Sequence, residues 1–413
     1  MEVLNSFGQL IKGSQIISMY KWEGQLLDGF AKRINTIILA IITVAAILIR
    51  LQGMEYVSDD YRLFIEPWFE QLKAAGGLAG LAQPIGDYNI PYLLIMAVLT
   101  HLPFPPLFMI KAVSVFFEFV CAITALKLTD MIVDRQSKWI SATVYALVLF
   151  SPIVLLNGAF WGQCDYIYIA FILLSFYCYH KAHYNNTFIF LGIALAFKQQ
   201  TLFILPLFIL VYLLNRSFSF TRFLWLPIIY LGAGLPAVIA GRPWDDVYLI
   251  YVRQTGTYPS LSMNMPNIWR IFSKDQYQTF AVLGIWMVII VLALMTACLM
   301  NKKYRLDGQG FLLMGTIISG LCVMILPAMH ERYVALYCLL ITIYFMIYER
   351  RKFYISLIPN FIALITYLHY LYDLDLVGYY TILAVVNGTV LLYMIVYAFN
   401  KIFIKVTADG GSL

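Results

Sequence analysis

The chain has 413 residues, of which 62% are hydrophobic and only 12% charged, and its mean hydropathy is +0.80. These values exclude a soluble globular protein, and they predict an all-α polytopic membrane protein because lipid requires each backbone polar group to be paired within the chain. The net charge of +6 comes from short basic clusters between apolar runs, which is a topology signal and not a sign of nucleic-acid binding.

The segment ahead of the first apolar run mixes basic and apolar residues. It predicts a cytoplasmic amphipathic segment over residues 1–33. No cleavable signal peptide is expected, because the apolar run begins only near Ile34. The first span is predicted over 35–51, and residues 400–413 are predicted to form a cytoplasmic tail.

The stretch from Glu55 to Pro106 follows the first span and predicts an amphipathic helix. Its apolar residues recur at helical spacing: Tyr61, Phe64, Ile65, Trp68, Phe69 and Leu72. Such a helix is expected to lie in the membrane interface, with its apolar face in the acyl boundary. Ser58, Asp59 and Asp60 stand at the predicted N-cap, which would fix a pair of carboxylates at the membrane surface.

Ile90–Pro103 decides the topology. It is apolar but only about fourteen residues long, which is short for a span. If it stays at the outer interface, most basic residues of the later loops lie in the cytoplasm, as the positive-inside rule requires. The spans that follow are then predicted over 107–128, 139–158, 164–180, 187–199, 201–214, 222–241, 278–299, 310–326, 333–348, 353–371 and 378–399.

This arrangement predicts about twelve spans within residues 34–399, with both termini inside. A long first extracytoplasmic loop covers 53–106 and a late one covers 242–277. Unusual polar residues gather on the predicted outer side: Asp59, Asp60, Asp87, Tyr88, Gln163, Asp165, Lys198, Gln199, Asn264, Asn267, Arg270, His330, Glu331 and Arg332. Because ionisable groups at membrane depth face a cavity or one another, these residues predict one shared cavity.

Each group also has a structural interpretation. Asp59, Asp60 and Asp165 could cap helices, and Lys198 could extend from a helix end to the surface. The residues from His330 to Arg332 could form an internally paired structural cluster. The six cysteines are scattered and no cluster of metal ligands is visible, so neither disulfides nor a metal nor any other cofactor is expected.

Five short motifs lie in order between residues 50 and about 335: Ser58-Asp59-Asp60-Tyr61 with Pro67-Trp68, Gly86-Asp87-Tyr88-Asn89-Ile90-Pro91-Tyr92, Trp161-Gly162-Gln163-Cys164-Asp165, Leu195-Ala196-Phe197-Lys198-Gln199-Gln200 with Pro206, and Met329-His330-Glu331-Arg332-Tyr333. In these motifs the chain resembles the GT-C superfamily of integral-membrane glycosyltransferases. It is most similar to bacterial relatives of the dolichyl-phosphate-sugar mannosyl- and glucosyltransferases. The resemblance implies a GT-C-like helical bundle.

The resemblance also implies a site and its partners. Family members place a catalytic Asp in the first outer loop, and Asp60 matches it better than Asp59. Many relatives carry a His in the second outer motif, where this chain has Gln163-Cys164-Asp165. The implied donor is a polyprenyl-phosphate monosaccharide, the implied acceptor a glycan, and the implied location a bacterial cell membrane with the site on its extracytoplasmic face.

The chemistry expected from these residues is an inverting transfer in one step. Asp60 would accept the proton of the attacking hydroxyl, and the phosphate leaving group would need cations to hold its charge. The candidate cations are Arg332, His330, Arg270 and Lys198, with Arg332 first because its guanidinium is a fork of donors. Gln163, Asp165, Gln199, Asn264 and Asn267 would contact the sugar or the acceptor.

Two alternatives remain open from the sequence. A flippase or transporter of lipid-linked sugars would also place polar residues among helices, although usually near the midplane and with internal repeats. An O-antigen-type ligase or polymerase would use a pyrophosphate-linked oligosaccharide. The sequence does not identify the sugar or the acceptor.

Overall fold

The computed structural model describes residues 21–133, 138–254, 259–272 and 276–409. Within these ranges the chain is an all-α membrane protein, as the composition predicts. Eight of the described helices are long and apolar enough to cross a membrane, or nine if one bent pair is counted as a single span. Three further apolar helices are shorter, at Ile90–Leu99, Tyr184–Phe197 and Gln199–Asn215. The total of about twelve spans therefore stays a prediction.

The α-helices are α1 Lys21–Leu51, α2 Glu66–Ala74, α3 Ile90–Leu99, α4 Pro106–Ile132, α5 Lys138–Leu149, α6 Pro152–Leu155, α7 Asp165–His180, α8 Tyr184–Phe197, α9 Leu205–Asn215, α10 Trp225–Ala240, α11 Trp244–Tyr248, α12 Ile250–Gln254, α13 Tyr277–Asn301, α14 Gly308–Ile325, α15 Ala335–Tyr348, α16 Tyr354–Tyr372 and α17 Tyr380–Asp409. Two π-helical turns cover Tyr61–Ile65 and Leu156–Trp161. Short 3₁₀ segments cover Gly77–Ala82, Gln199–Phe203, Phe220–Leu224, Ile268–Ile271, Glu331–Val334, Arg350–Lys352 and Val377–Tyr379.

The chain divides into two compact units with their boundary inside α1, between Ala45 and Ala46. Most of the predicted N-terminal segment, residues 1–20, and the end of the predicted tail, residues 410–413, lie outside the described residues. All contacts discussed below belong to the second unit.

The core of the second unit is formed by α14 and α15, whose side chains are almost all buried. Helices α10 and α13 instead expose large apolar side chains, such as Ile239 and Trp286, which are 82% and 57% exposed. Such apolar surface is expected where a helix faces lipid. The second unit is therefore built as a multi-pass membrane protein, with its most polar contacts kept inside.

The predicted span over 139–158 is not one helix. Helix α5 ends at Leu149, and the chain continues after a 46° bend into the segment Pro152–Trp161. Pro152 has no amide hydrogen and its ring clashes with the preceding turn, so the helix cannot run straight through it. The second segment ends at Gly162, which has a φ of +77° and lets the chain turn sharply.

The loop after α1 begins with a capped helix, but the cap is Ser58 and neither of the aspartates. The Oγ atom of Ser58 accepts a hydrogen bond from the Tyr61 amide at 3.2 Å. Four residues of the predicted apolar stripe pack inside the protein around α3: Tyr61, Ile65, Phe69 and Leu72. The prediction that this face lies in lipid is therefore wrong for these residues.

A buried ion pair and a buried lysine hold the start of this loop. The Nε atom of Arg50 donates to Glu118 Oε2 on α4 at 2.6 Å, and both side chains are at most 2% exposed. The buried Nζ atom of Lys111 donates to the carbonyl of Gly53 at 2.7 Å and to that of Tyr56. Removing one partner of a buried pair leaves an uncompensated charge, so these contacts fix the loop against α4.

The loop between α12 and α13 is held by a short β-ladder. Strand β1, Ser262–Met263, pairs in parallel with β2, Met329–His330, and Asn264 forms a further bridge to His330. This pairing places the late loop beside the residues that precede α15.

Candidate functional site

Asp60 is the centre of a hydrogen-bond cluster drawn from four separate segments. Its Oδ2 atom accepts bonds from Trp161 Nε1 at 2.9 Å, Gln163 Nε2 at 2.5 Å and Arg332 Nη1 at 2.8 Å. Its Oδ1 atom accepts a bond from the Tyr370 hydroxyl at 2.5 Å. The residue is only 8% exposed. Asp60 is therefore no helix cap but a buried carboxylate that is fully hydrogen-bonded.

The surroundings of Asp60 hold it in the ionised form. Burial alone raises the pKa of its carboxyl group. The positive charge of Arg332 and the hydrogen bonds from Tyr370 and Trp161 more than offset this effect, and the pKa of Asp60 lies below its ordinary value. The side chain is thus a carboxylate at neutral pH.

A second buried carboxylate, Asp165, is connected to the first. Its Oδ1 atom accepts a hydrogen bond from Lys198 Nζ at 2.6 Å, and its Oδ2 atom accepts one from Asn157 at 3.0 Å. The Nε atom of Arg332 lies 3.9 Å from the same Oδ2 atom. Two cations and two anions thus alternate in the order Lys198, Asp165, Arg332 and Asp60.

Local backbone geometry brings these side chains together. The turn at Gly162 follows directly on Trp161, and the Ser58 hydroxyl donates to the Trp161 carbonyl at 2.7 Å. Lys198 has extended backbone angles between α8 and the next 3₁₀ segment, and its side chain points inward. Because Lys198 is 6% exposed and paired, it does not extend to the surface.

Tyr88, from the loop that precedes α3, joins the same cluster. Its hydroxyl donates to Gln163 Oε1 at 2.8 Å, and the Lys198 ammonium lies 5.3 Å from the centre of its ring. The structure thus brings together six of the residues predicted for the site: Asp60, Tyr88, Gln163, Asp165, Lys198 and Arg332.

Other predicted site residues lie elsewhere. Asp59 and Asp87 are exposed, and the Asp87 carbonyl accepts a hydrogen bond from Gln254. Gln199 is half-buried at the start of a 3₁₀ segment. None of these three side chains contacts the cluster through a hydrogen bond or ion pair that the described residues show, so their predicted contacts with substrate stay predictions.

The predicted residues of the late loop have structural contacts. Asn267 caps the 3₁₀ segment Ile268–Ile271 by accepting from the Trp269 amide at 3.2 Å. Arg270 donates to the Met265 carbonyl at 3.2 Å and packs over the Tyr380 ring. Asn264 bridges to the strand residue His330. Asn267 Nδ2 and Arg270 Nη2 nevertheless have no hydrogen-bond partner among the described residues, so the predicted substrate contacts of the three residues stay predictions.

His330 and Glu331 directly precede Arg332 in the chain, and both are largely buried. Burial lowers the pKa of His330 to about 3, with Arg332 adding to the effect, so the imidazole is neutral at neutral pH when no anion is bound. Glu331 is 1% exposed, and neither of its carboxylate oxygens has a hydrogen-bond partner among the described residues.

Sequence reasoning missed Tyr370, which belongs to α16 beyond the last recognised motif. Its ring stacks on the Trp161 indole, with ring centres 4.6 Å apart and planes 19° apart. The predicted span over 353–371 places Tyr370 at the outer end of its helix, which is the only signal the sequence holds. With 30 tyrosines in the chain, that signal does not single it out.

No protein-family model matches the chain, and a search of curated proteins finds none that is significantly similar. The site is therefore interpreted from its own chemistry. In the ranges that the structure describes, no group of three or more His, Cys, Asp or Glu side chains could hold a metal ion. The cluster combines an ionised carboxylate with a guanidinium and an ammonium, which is suited to moving a proton beside an anionic ligand.

Proposed function

We propose that the protein is an inverting glycosyltransferase of the GT-C type. It moves a monosaccharide from a polyprenyl-phosphate donor to a hydroxyl group of a glycan acceptor, at the extracytoplasmic face of a bacterial cell membrane. The observation that carries the proposal is the pairing of a buried, ionised Asp60 with Arg332 at 2.8 Å.

Asp60 supplies the base for this reaction. The acceptor oxygen attacks the anomeric carbon on the face opposite the phosphate, and a single carboxylate is enough to take up its proton when inversion occurs in one step. The low pKa of Asp60 keeps it ready in the ionised form. The leaving phosphate needs no general acid, because it departs as a stable anion.

Arg332 and Lys198 supply positive charge for the phosphate. Both are buried or nearly so, and charge-assisted hydrogen bonds in such a water-poor site are strong. The Nε atom of Arg332 has no hydrogen-bond partner among the described residues, so the guanidinium retains a donor for a ligand. Gln163 and Asp165 complete the site as polar contacts for the sugar or the acceptor.

The proposal also includes the position of the first loop and the number of membrane spans. The first extracytoplasmic loop over 53–106 would carry Asp60 at the membrane surface, and residues 34–399 would form a GT-C-like bundle of about twelve spans. The resemblance of the five motifs to that superfamily supports this arrangement, as does the way three of them meet around Asp60.

The decisive test is transfer by the purified protein in liposomes, with a set of polyprenyl-phosphate monosaccharides as donors and membrane glycans as acceptors. Appearance of a product with inverted anomeric configuration is the expected result. Movement of the lipid-linked sugar across the bilayer without transfer would indicate a transporter instead. Use of only pyrophosphate-linked oligosaccharides would indicate a ligase or polymerase.

A further inference from the structure

The donors around Asp60 limit how an acceptor hydroxyl can reach it. Asp60 already accepts four hydrogen bonds, three at Oδ2 and one at Oδ1. Oδ2 has no lone pair left for another donor, so a new hydroxyl group must approach Oδ1, beside or through the Tyr370 hydroxyl that is bonded there.

Only one of the four donors is able to pass on a proton. The indole nitrogen of Trp161, the amide nitrogen of Gln163 and the guanidinium of Arg332 donate but do not accept. The amide oxygen of Gln163 is taken by Tyr88. The Tyr370 hydroxyl alone both donates to Asp60 and keeps lone pairs for a hydrogen bond from another group.

The position of Tyr370 agrees with such a role. It lies in the last turn of α16 and is more exposed than Asp60, so an acceptor that enters from outside meets the phenol before the carboxylate. Its ring is fixed by the stack on Trp161, whose own nitrogen donates to Asp60. The phenol oxygen is thus held in a defined direction toward Oδ1 of the base.

We propose that Tyr370 is a catalytic residue that relays the acceptor proton to Asp60, an inference that rests on the proposed transfer reaction. As the acceptor oxygen forms its bond to the anomeric carbon, its proton passes to the Tyr370 oxygen. The phenol proton passes at the same time to Asp60 Oδ1. The bond from the anomeric carbon to the phosphate oxygen breaks, and the phosphate takes its electron pair, so Tyr370 ends neutral and Asp60 protonated.

The test compares wild type, Tyr370→Phe and Tyr372→Phe in single-turnover transfer. Tyr372 belongs to the same helix, is 42% exposed and packs on the Tyr56 ring, which makes it a matched control outside the cluster. Phenylalanine keeps the stack on Trp161, so donor binding and the melting temperature of Tyr370→Phe should stay close to wild type. Its transfer rate should fall by about 10²–10⁴.

Rates in mixtures of H₂O and D₂O separate a relay from a purely positioning role. A relay moves two protons in the transition state, so the wild-type rate should curve with the deuterium fraction and the Tyr370→Phe rate should follow a straight line. A Tyr370→Phe rate within about threefold of wild type would overturn the relay, as would a slowed variant whose curve is unchanged. If one of these results is found and Asp60→Asn is inactive, the relay is overturned but the proposed function stands. A wild-type protein that transfers nothing overturns the relay and the proposed function.

Discussion

Arg332 Nη1 lies 2.8 Å from Asp60 Oδ2, so the proposed phosphate ligand and the proposed base are already paired before any substrate binds. The same guanidinium approaches Asp165 through its Nε atom. A donor phosphate would compete with both carboxylates for this one side chain. Substitutions at Asp60 and Arg332 should therefore affect different steps of the reaction.

Asp60→Asn should give a folded protein that binds donor and transfers almost nothing. Asparagine keeps the size of the side chain and accepts some of the same hydrogen bonds, but it is not a base. Loss of a general base lowers a rate by about 10²–10⁴, which single-turnover transfer measures. Asp59→Asn is the matched control, because Asp59 is exposed one residue earlier, and it should remain close to wild type. An inactive Asp59→Asn with an active Asp60→Asn would move the base to Asp59.

Arg332→Lys should reduce transfer about 100-fold or more, and Arg332→Ala should reduce it further. Lysine keeps the charge but not the forked donors of the guanidinium, whereas alanine also leaves Asp60 without its ion-pair partner. Transfer rates and donor affinity measure the effect. Arg62→Lys and Arg62→Ala, at an exposed arginine of the same loop, are the controls. Normal transfer by Arg332→Ala would leave Lys198 as the phosphate ligand.

The pH dependence of transfer should follow the low pKa of Asp60. The base is active when ionised, so the rate should stay level from neutral pH down to the ordinary carboxyl pKa and fall only at lower pH. The ionised form also stabilises the fold above the ordinary carboxyl pKa, and this stabilisation is lost as pH falls through the lower folded pKa.

Removal of Arg332 gives this profile an internal check. The charge of Arg332 is the largest contribution that lowers the pKa of Asp60, so Arg332→Ala should move the acid limb of the profile to higher pH. If the rates of wild type and Arg332→Ala fall at the same acidic pH, a group other than Asp60 controls the rate.

Cysteine labelling tests the topology. In a Cys298→Ser background, which removes the one exposed native cysteine, Asp87→Cys should react with an impermeant reagent from outside and Lys181→Cys only from the cytoplasm. Labelling of both positions from outside would mean that Ile90–Pro103 crosses the membrane, contrary to the positive-inside argument.

The positions of long apolar helices could be predicted from the sequence because their signal is local. The predicted spans 107–128, 278–299 and 310–326 match α4, α13 and α14 within a few residues at each end. Pro152 is also a local signal, but the predicted span over 139–158 runs through it because the apolar run continues past the proline.

The contacts of the site could be predicted only in part. Unusual polar residues in apolar surroundings marked Asp60, Gln163, Asp165, Lys198 and Arg332. The direction of each side chain depends on packing between distant segments, which is why Ser58 rather than an aspartate caps its helix. Tyr370 escaped because a tyrosine at the end of an apolar helix is ordinary until its hydrogen-bond partner is known.

The buried pair of Arg50 and Glu118 has a consequence for biogenesis. A lone charged side chain deep in a membrane helix opposes insertion by about 2.5–3.5 kcal/mol. During synthesis Arg50 leaves the ribosome first, and Glu118 follows 68 residues later. Helix α4 also carries Lys111, whose carbonyl partners lie in the intervening loop. The end of α1, the loop and α4 are therefore expected to enter the bilayer most easily as one unit.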